Sequence, residues 1–238
     1  METPLDAAST TAGALFASST FSVPQFQREY AWGRDEVREF FRDLAESLNS
    51  ESYFLGLIIV TGEKREKDVV DGQQRILTLT LLATALVNLA TEYERNALAD
   101  RLRSTFLRSI DFATDEELPR VTLSDAADNH TLQAILSGEV PRIVPGDESV
   151  SSALVEAFTE IRKLLVADLV QDPFKRLGVW ADFLMNRLYF ARFVHPDQGS
   201  AYRVFEVINT RGKELTTADL LKSYVLSQTL PTERQHRY

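Results

Sequence analysis

The sequence predicts an α+β fold, in which a small mixed sheet is surrounded by helices and followed by a mainly helical C-terminal part. Three patterns carry that expectation. Long segments repeat apolar residues with helical periodicity, as in "DEVREFFRDLAESL", where Val37, Phe40, Phe41, Leu44 and Leu48 share one face. "YFLGLIIV", a polar turn "TGEKREK" and "DVV" read as two buried strands joined in a hairpin. The remaining strand signals are short and irregularly placed, with no internal repeat and no low-complexity tract.

In order along the chain, residues 8–18 read as a short helix, and "TFSVPQF" is extended because Pro24 pushes Val23 towards β geometry. A helix follows from Asp35, and then the hairpin. After Asp71 a helix runs to about Glu94, interrupted in its apolar face by Thr78, Thr80, Thr84 and Asn88, so it reads as a core helix and not a membrane span. A further helix covers Ala97 to Ser109, "DFATDEELP" is an acidic loop, and "RVTLS" is a short strand. "DAADNHTLQAILSG" is a helix with Gly138 near its end. "EVPRIVPGDESVS" is the candidate linker, dividing a core of residues 1–140 from a helical part of residues 141–238 packed on it. Helices at Ser151–Val170 and Phe174–Asn186, a strand in "RLYFARFV" ending near His195, and a helix–loop–helix in "SAYRVFEVINTRGKELTTADLLKSYVLSQ" complete the pattern.

The 238 residues, 44% of them hydrophobic, suffice for a sizeable core. The absence of cysteine excludes disulfides and thiolate metal sites and fits a reducing, cytoplasmic setting. No stretch at the start reads as a signal peptide, and because the charged tail "LSQTLPTERQHRY" follows a helix pattern directly, the chain reads as the first part of a longer protein. With a net charge of −9 and no basic stripe, nucleotide or nucleic acid has to be met by a local pocket working against the overall field. There is no GxxxxGK[ST] and no GxSxG, and the three histidines, His130, His195 and His236, lie in unrelated contexts. No Asp or Glu precedes a Lys by two residues, so a common nuclease signature is missing as well.

Three segments hold candidate chemistry. "PQFQREYAW" sets Gln25, Gln27 and Arg28 among Phe26, Tyr30 and Trp32: a guanidinium fork suited to phosphate beside faces on which a base can stack, or an edge strand with a solvated arginine and core aromatics. "DGQQR", Asp71 to Arg75, places a tight turn at a helix start, where backbone N–H groups favour an anion and the helix dipole opposes Arg75. Either an anionic ligand resolves that conflict, or Arg75 pairs with a carboxylate elsewhere. "VFEVINTRGKELTTADLLK" is a well-capped helical hairpin that also gathers Arg211, Lys213 and Lys222 around one loop.

Taken in order, "VPQFQREYAW", "YFLGLIIV", "VVDGQQRILTLTLL" and "FEVINTRGKELTTADLLKSYVL" resemble the N-terminal domain of the GmrSD family of type IV restriction enzymes, a domain that also begins SspE-type effectors acting on phosphorothioate-modified DNA. Phe26 stands where many relatives carry tyrosine. The resemblance implies a ParB-like core that binds and hydrolyses a nucleoside triphosphate, GTP or another, with Mg²⁺. It implies coupling of that hydrolysis to the cutting of modified foreign DNA by a C-terminal HNH-type nuclease domain or partner subunit. It assigns Gln73, Gln74 and Arg75 to the floor of a phosphate pocket together with Gly72. Gln27 and Arg28 join from the first segment, Tyr30 or Trp32 stacks on the base, and Asn209, Arg211 and Lys222 close the pocket. Asp71, Gln74 and Arg75 are the catalytic candidates, with Asp71 also the candidate metal ligand. Two other readings remain open: a non-catalytic reader of modified DNA, and an interaction scaffold for a nuclease subunit. A homo-oligomer is compatible with each.

Overall fold

The computed structural model describes residues 6–24, 30–62, 65–142 and 146–195. It is a mixed α/β fold with seven α-helices and a six-stranded mixed sheet among the described residues. Strands β1 (Asp6–Thr11), β2 (Thr20–Val23), β3 (Tyr53–Thr61), β4 (Glu66–Asp71), β7 (Val121–Leu123) and β8 (Leu188–His195) lie in the order β1-β8-β3-β4-β2-β7. The β1–β8 and β3–β4 pairs are antiparallel, and β8–β3, β4–β2 and β2–β7 are parallel. A separate two-stranded ribbon joins β5 (Arg108–Ile110) to β6 (Glu117–Pro119).

The main core lies between one face of this sheet and a helical layer centred on α3 (Gln73–Glu92). Around α3 stand α2 (Arg34–Glu46), α4 (Asn96–Leu102), α5 (Ala126–Leu136), α6 (Val150–Asp168) and α7 (Pro173–Asp182), with α1 (Ala12–Ser18) near the start of the sheet. The apolar face of α2 expected from its spacing is buried as expected. α3 is long and apolar enough to cross a membrane, yet it is the buried centre of this fold. Its threonines are satisfied locally: Thr80 Oγ1 donates to the Ile76 carbonyl at 2.8 Å and Thr84 Oγ1 to the Thr80 carbonyl at 2.9 Å. The opposite face of the sheet carries a smaller cluster of Leu57, Ile59, Val70, Ala191 and Phe193. Burial on both faces explains why "LGLIIV" is apolar at every position instead of alternating.

Most elements fall where the sequence places them, and the departures have tertiary causes. Residues 6–11 form β1 and only residues 12–18 are helical, because β1 finds its partner in β8, at the other end of the described chain. Thr11 then caps α1 by accepting the Ala14 N–H at 3.1 Å. The helix expected over Ala97–Ser109 tightens to α4, passes through a π-helical turn at Arg103–Leu107 and becomes β5. Arg120 fixes that exit. Its buried guanidinium donates to the Ser104 carbonyl at 2.9 and 3.1 Å and to the Phe16 carbonyl at 2.7 Å, tying the π-turn to the end of α1. The expected acidic loop turns back as the β5–β6 ribbon. The helix expected to reach Asn186 likewise ends in a π-turn, Phe183–Arg187, before β8. β8 sits inside the sheet between β1 and β3, so the division proposed at residue 140 crosses a single sheet.

Candidate functional site

The segment that ends β4 and starts α3 is built around a glycine that cannot be replaced without strain. Gly72 has φ +95°, and a Cβ there would meet Ile58 Cγ2 at 2.7 Å and the Leu57 carbonyl at 3.2 Å. The turn therefore lies directly on β3. Ile76 N–H donates to the Gly72 carbonyl at 3.0 Å, beginning the helix, while Gly72 offers no side chain to cap the first turn. Asp71 precedes it and accepts the Gly72 N–H.

Arg75 lies in the first turn of α3 with its side chain 25% exposed, and the Asp71 side chain is 34% exposed. Their closest approach is long, Arg75 Nη2 to Asp71 Oδ2 at 3.9 Å. The hydrogen bond of Arg75 among the described residues is also long, Nη1 to the Leu55 carbonyl at 3.5 Å. Burial pushes the Arg75 guanidinium below its usual range, and Asp71 offsets only part of that. Burial likewise pushes the Asp71 carboxyl above its usual range, against the opposing influence of Arg75 and the Gly72 N–H. Both charges are desolvated further than their mutual attraction repays.

The described end of the first motif, Tyr30 to Trp32, lies against the first two turns of this helix. Ala31 N–H donates to Gln74 Oε1 at 3.1 Å, and the Tyr30 hydroxyl lies 3.0 Å from Thr78 Oγ1. Gln74 and Thr78 are four residues apart and so occupy one face of α3. Trp32 packs at a tilt on Phe40, with ring centroids 5.4 Å apart. A cavity of about 260 Å³ opens here, lined by Trp32, Phe40, Tyr53 and Leu55, by Arg75, and by Glu36, Glu39 and Asp43 of α2. Glu36 also accepts the Gly33 N–H at 3.0 Å, capping α2.

The structure thus brings Asp71, Gly72, Gln73, Gln74, Arg75, Tyr30 and Trp32 together. Tyr30 does not present a stacking face. It is 4% exposed, burial holds its phenol well above the usual range, and it serves the core. Gln73 is buried as well, at 6% exposure. Of Tyr30 and Trp32, Trp32 is the one that lines the cavity. Gln27, Arg28, Asn209, Arg211 and Lys222 lie outside the described residues. Among the described residues no group of three or more His, Cys, Asp or Glu is arranged to hold a metal ion.

Sequence reasoning missed Gly56 and the carboxylate wall. Gly56 has φ +128°, and a Cβ on it would run into the Arg75 guanidinium. A bulge stands beside it: Phe54 pairs with Tyr189 and Gly56 with Phe190, so Leu55 is the extra residue, and it is the Leu55 carbonyl that Arg75 reaches. The available signal was a glycine inside an otherwise apolar strand, which marks a bulge or a close approach. The carboxylates at 36, 39 and 43 read only as the solvated face of an amphipathic helix.

No curated protein sequence matches the chain. Residues 12–226 match the family described as GmrSD restriction endonuclease, N-terminal domain. That match spans all three motifs and the whole of the site just described, and the chain belongs to this family of restriction-system, phage-defence proteins.

Proposed function

We propose that this chain is the nucleotide-binding and nucleotide-hydrolysing regulatory part of a modification-dependent restriction protein. One observation carries the reading: Arg75 is a desolvated cation at a helix start whose contacts among the described residues, 3.9 Å to Asp71 and 3.5 Å to Leu55, are both too long to compensate it. A phosphate group supplies what is missing, namely short charge-assisted bonds to the guanidinium and a negative charge where the helix dipole favours one. Arg75 is the cationic group of a cavity whose other charged lining residues are Glu36, Glu39 and Asp43, so the phosphate is assigned to Arg75 and the Trp32 face to the base.

In this reading Arg75 binds the phosphates and stabilises the charge that grows on them as water displaces the nucleoside diphosphate. Asp71, whose raised affinity for protons makes it a better base than a free carboxylate, orients that water. Gln74 holds the Trp32 segment in place through Ala31. Mg²⁺ neutralises phosphate charge when bound. A lone carboxylate suits a Mg²⁺ ion held mainly by substrate phosphates and water, and Asp71 would be its protein ligand. Gln27, Arg28, Asn209, Arg211 and Lys222 are further proposed ligands, and cutting of modified foreign DNA is assigned to a nuclease domain or partner subunit. The test is phosphate release from GTP, ATP, CTP and UTP with Mg²⁺, before and after Arg75→Ala. Loss of a charge-assisted bond worth about 1.5–3 kcal/mol predicts a drop of at least tenfold. Equal, negligible release by both proteins defeats the reading.

A further inference from the structure

We infer that Gly56 is the positioning residue for Arg75: by lacking a side chain it lets the guanidinium rest against β3 at the mouth of the Trp32 cavity. This inference rests on the nucleotide reading for its consequence, but its geometry stands apart from it. A Cβ on residue 56 would collide with Arg75 Nη1 and lie 3.2 Å from Cζ. The strand bulges at Leu55, so the carbonyl facing Arg75 and the gap that receives it are made by neighbouring residues of one irregularity. Leu55 and Arg75 line the same cavity as Trp32, Phe40 and Tyr53. The bulge therefore holds a cation at a cavity that three carboxylates also line, and Arg75 is the cationic group of that lining to which an anion can bind. The inward placement of the cation is set by β3, although the cation belongs to α3.

Gly56→Ala alone is ambiguous, because at φ +128° any Cβ also strains the backbone. Arg75→Lys resolves this. A lysine chain ends where Cζ now lies and carries no Nη1, so the collision disappears while the charge remains. Backbone strain is the same in Gly56→Ala and in the double variant, and a double-mutant cycle cancels it. The experiment measures urea unfolding and the thermal shift given by each of the four nucleoside triphosphates with Mg²⁺, for wild type, the two single variants and the double variant. Gly56→Ala is expected to weaken nucleotide binding at least tenfold, and the double variant to bind as Arg75→Lys does. In unfolding, the double variant is expected to lose less stability than the sum of the single losses. Strictly additive losses overturn the inference, as does a Gly56→Ala protein that binds nucleotide like wild type. If wild type shifts with no triphosphate, the nucleotide reading fails by itself, and the ligand-free unfolding cycle alone decides whether Gly56 places Arg75.

Discussion

The side-chain carbonyl of Gln74 accepts the Ala31 backbone N–H at 3.1 Å, joining the second glutamine of DGQQR to the segment that carries Trp32. A pair that reads as two amides offered to a ligand therefore has at least one amide oxygen used for assembly. Gln74→Ala is expected to lower stability by about 1 kcal/mol and to loosen the Trp32 wall. Gln74→Glu keeps an acceptor for Ala31 and is expected to retain the wall. Urea unfolding of both variants followed by Trp fluorescence checks this, and an unchanged Gln74→Ala protein shows the bond to be idle.

Tyr30 and Trp32 are predicted to separate cleanly. Tyr30→Phe leaves Thr78 Oγ1 without its buried partner and is expected to cost about 1 kcal/mol of stability with little effect on nucleotide response. Trp32→Ala removes the cavity wall and is expected to weaken nucleotide binding by about 1–3 kcal/mol. Thermal melts with and without Mg²⁺-nucleotide distinguish the two, and the reverse pattern contradicts the placement of Tyr30 in the core.

Asp71 sets a pH dependence of definite sign. Its carboxyl titrates above the ordinary 3.8 because burial penalises its charge, so its favourable contribution to folding is present below the unfolded value and disappears as pH rises through the folded one. Asp71→Asn, which stays neutral, is expected to be more stable than wild type at pH 7. The difference shrinks as the pH falls towards the unfolded value, and phosphate release is lost throughout. Denaturation midpoints at the two pH extremes test the sign. A variant less stable at pH 7 means that the Arg75 contact outweighs desolvation.

Asp168 behaves oppositely. Burial alone raises its carboxyl, but the hydrogen bonds from Arg176, at 2.8 and 2.9 Å, and from Trp180 Nε1, at 2.8 Å, together outweigh burial and hold it below the usual range. Its stabilisation of the α6–α7 corner is therefore present above the unfolded value and is lost as pH falls through the folded one. Asp168→Asn is expected to cost about 2 kcal/mol at pH 7 and nearly nothing in strong acid. A loss independent of pH assigns the effect to packing around Trp180 instead.

DNA binding is predicted to be weak for this chain alone. The net charge is −9, and the cavity carries a carboxylate wall, so few counterions are released on contact with an unmodified duplex and the salt slope is shallow. Gel-shift titrations over a salt series measure that slope. Tight, steeply salt-dependent binding points to a basic surface elsewhere.

The sequence made the periodic elements legible because their burial is local in origin: the face of α2, the β3–β4 hairpin and the Gly72 turn each declare themselves within a few residues. β1 was not legible, since "DAASTT" is strand only by virtue of β8. The π-turns before β5 and β8 were not legible either, because the groups that meet them come from Arg120 in one case and from the Leu48 and Ser50 carbonyls, held by Arg187, in the other. At the site, DGQQR announced a helix start at odds with its own arginine, and the structure keeps that conflict. The part played by Gly56 depends on a contact across twenty residues that no spacing rule encodes.

β8 has a consequence for how the molecule comes into being. It hydrogen-bonds to β1 on one side and β3 on the other, although it is the last described strand to leave the ribosome. Until residue 195 has been synthesised, β1 lacks its partner and β3 keeps an open edge, while the helices that cover them are already available. Pairing across such sequence distance is slow, and unpaired strand edges invite association with other chains. The nascent chain thus passes through a period in which the hairpin that will hold DGQQR exists before the sheet that supports it. A gene boundary drawn anywhere before residue 188 makes that waiting state permanent.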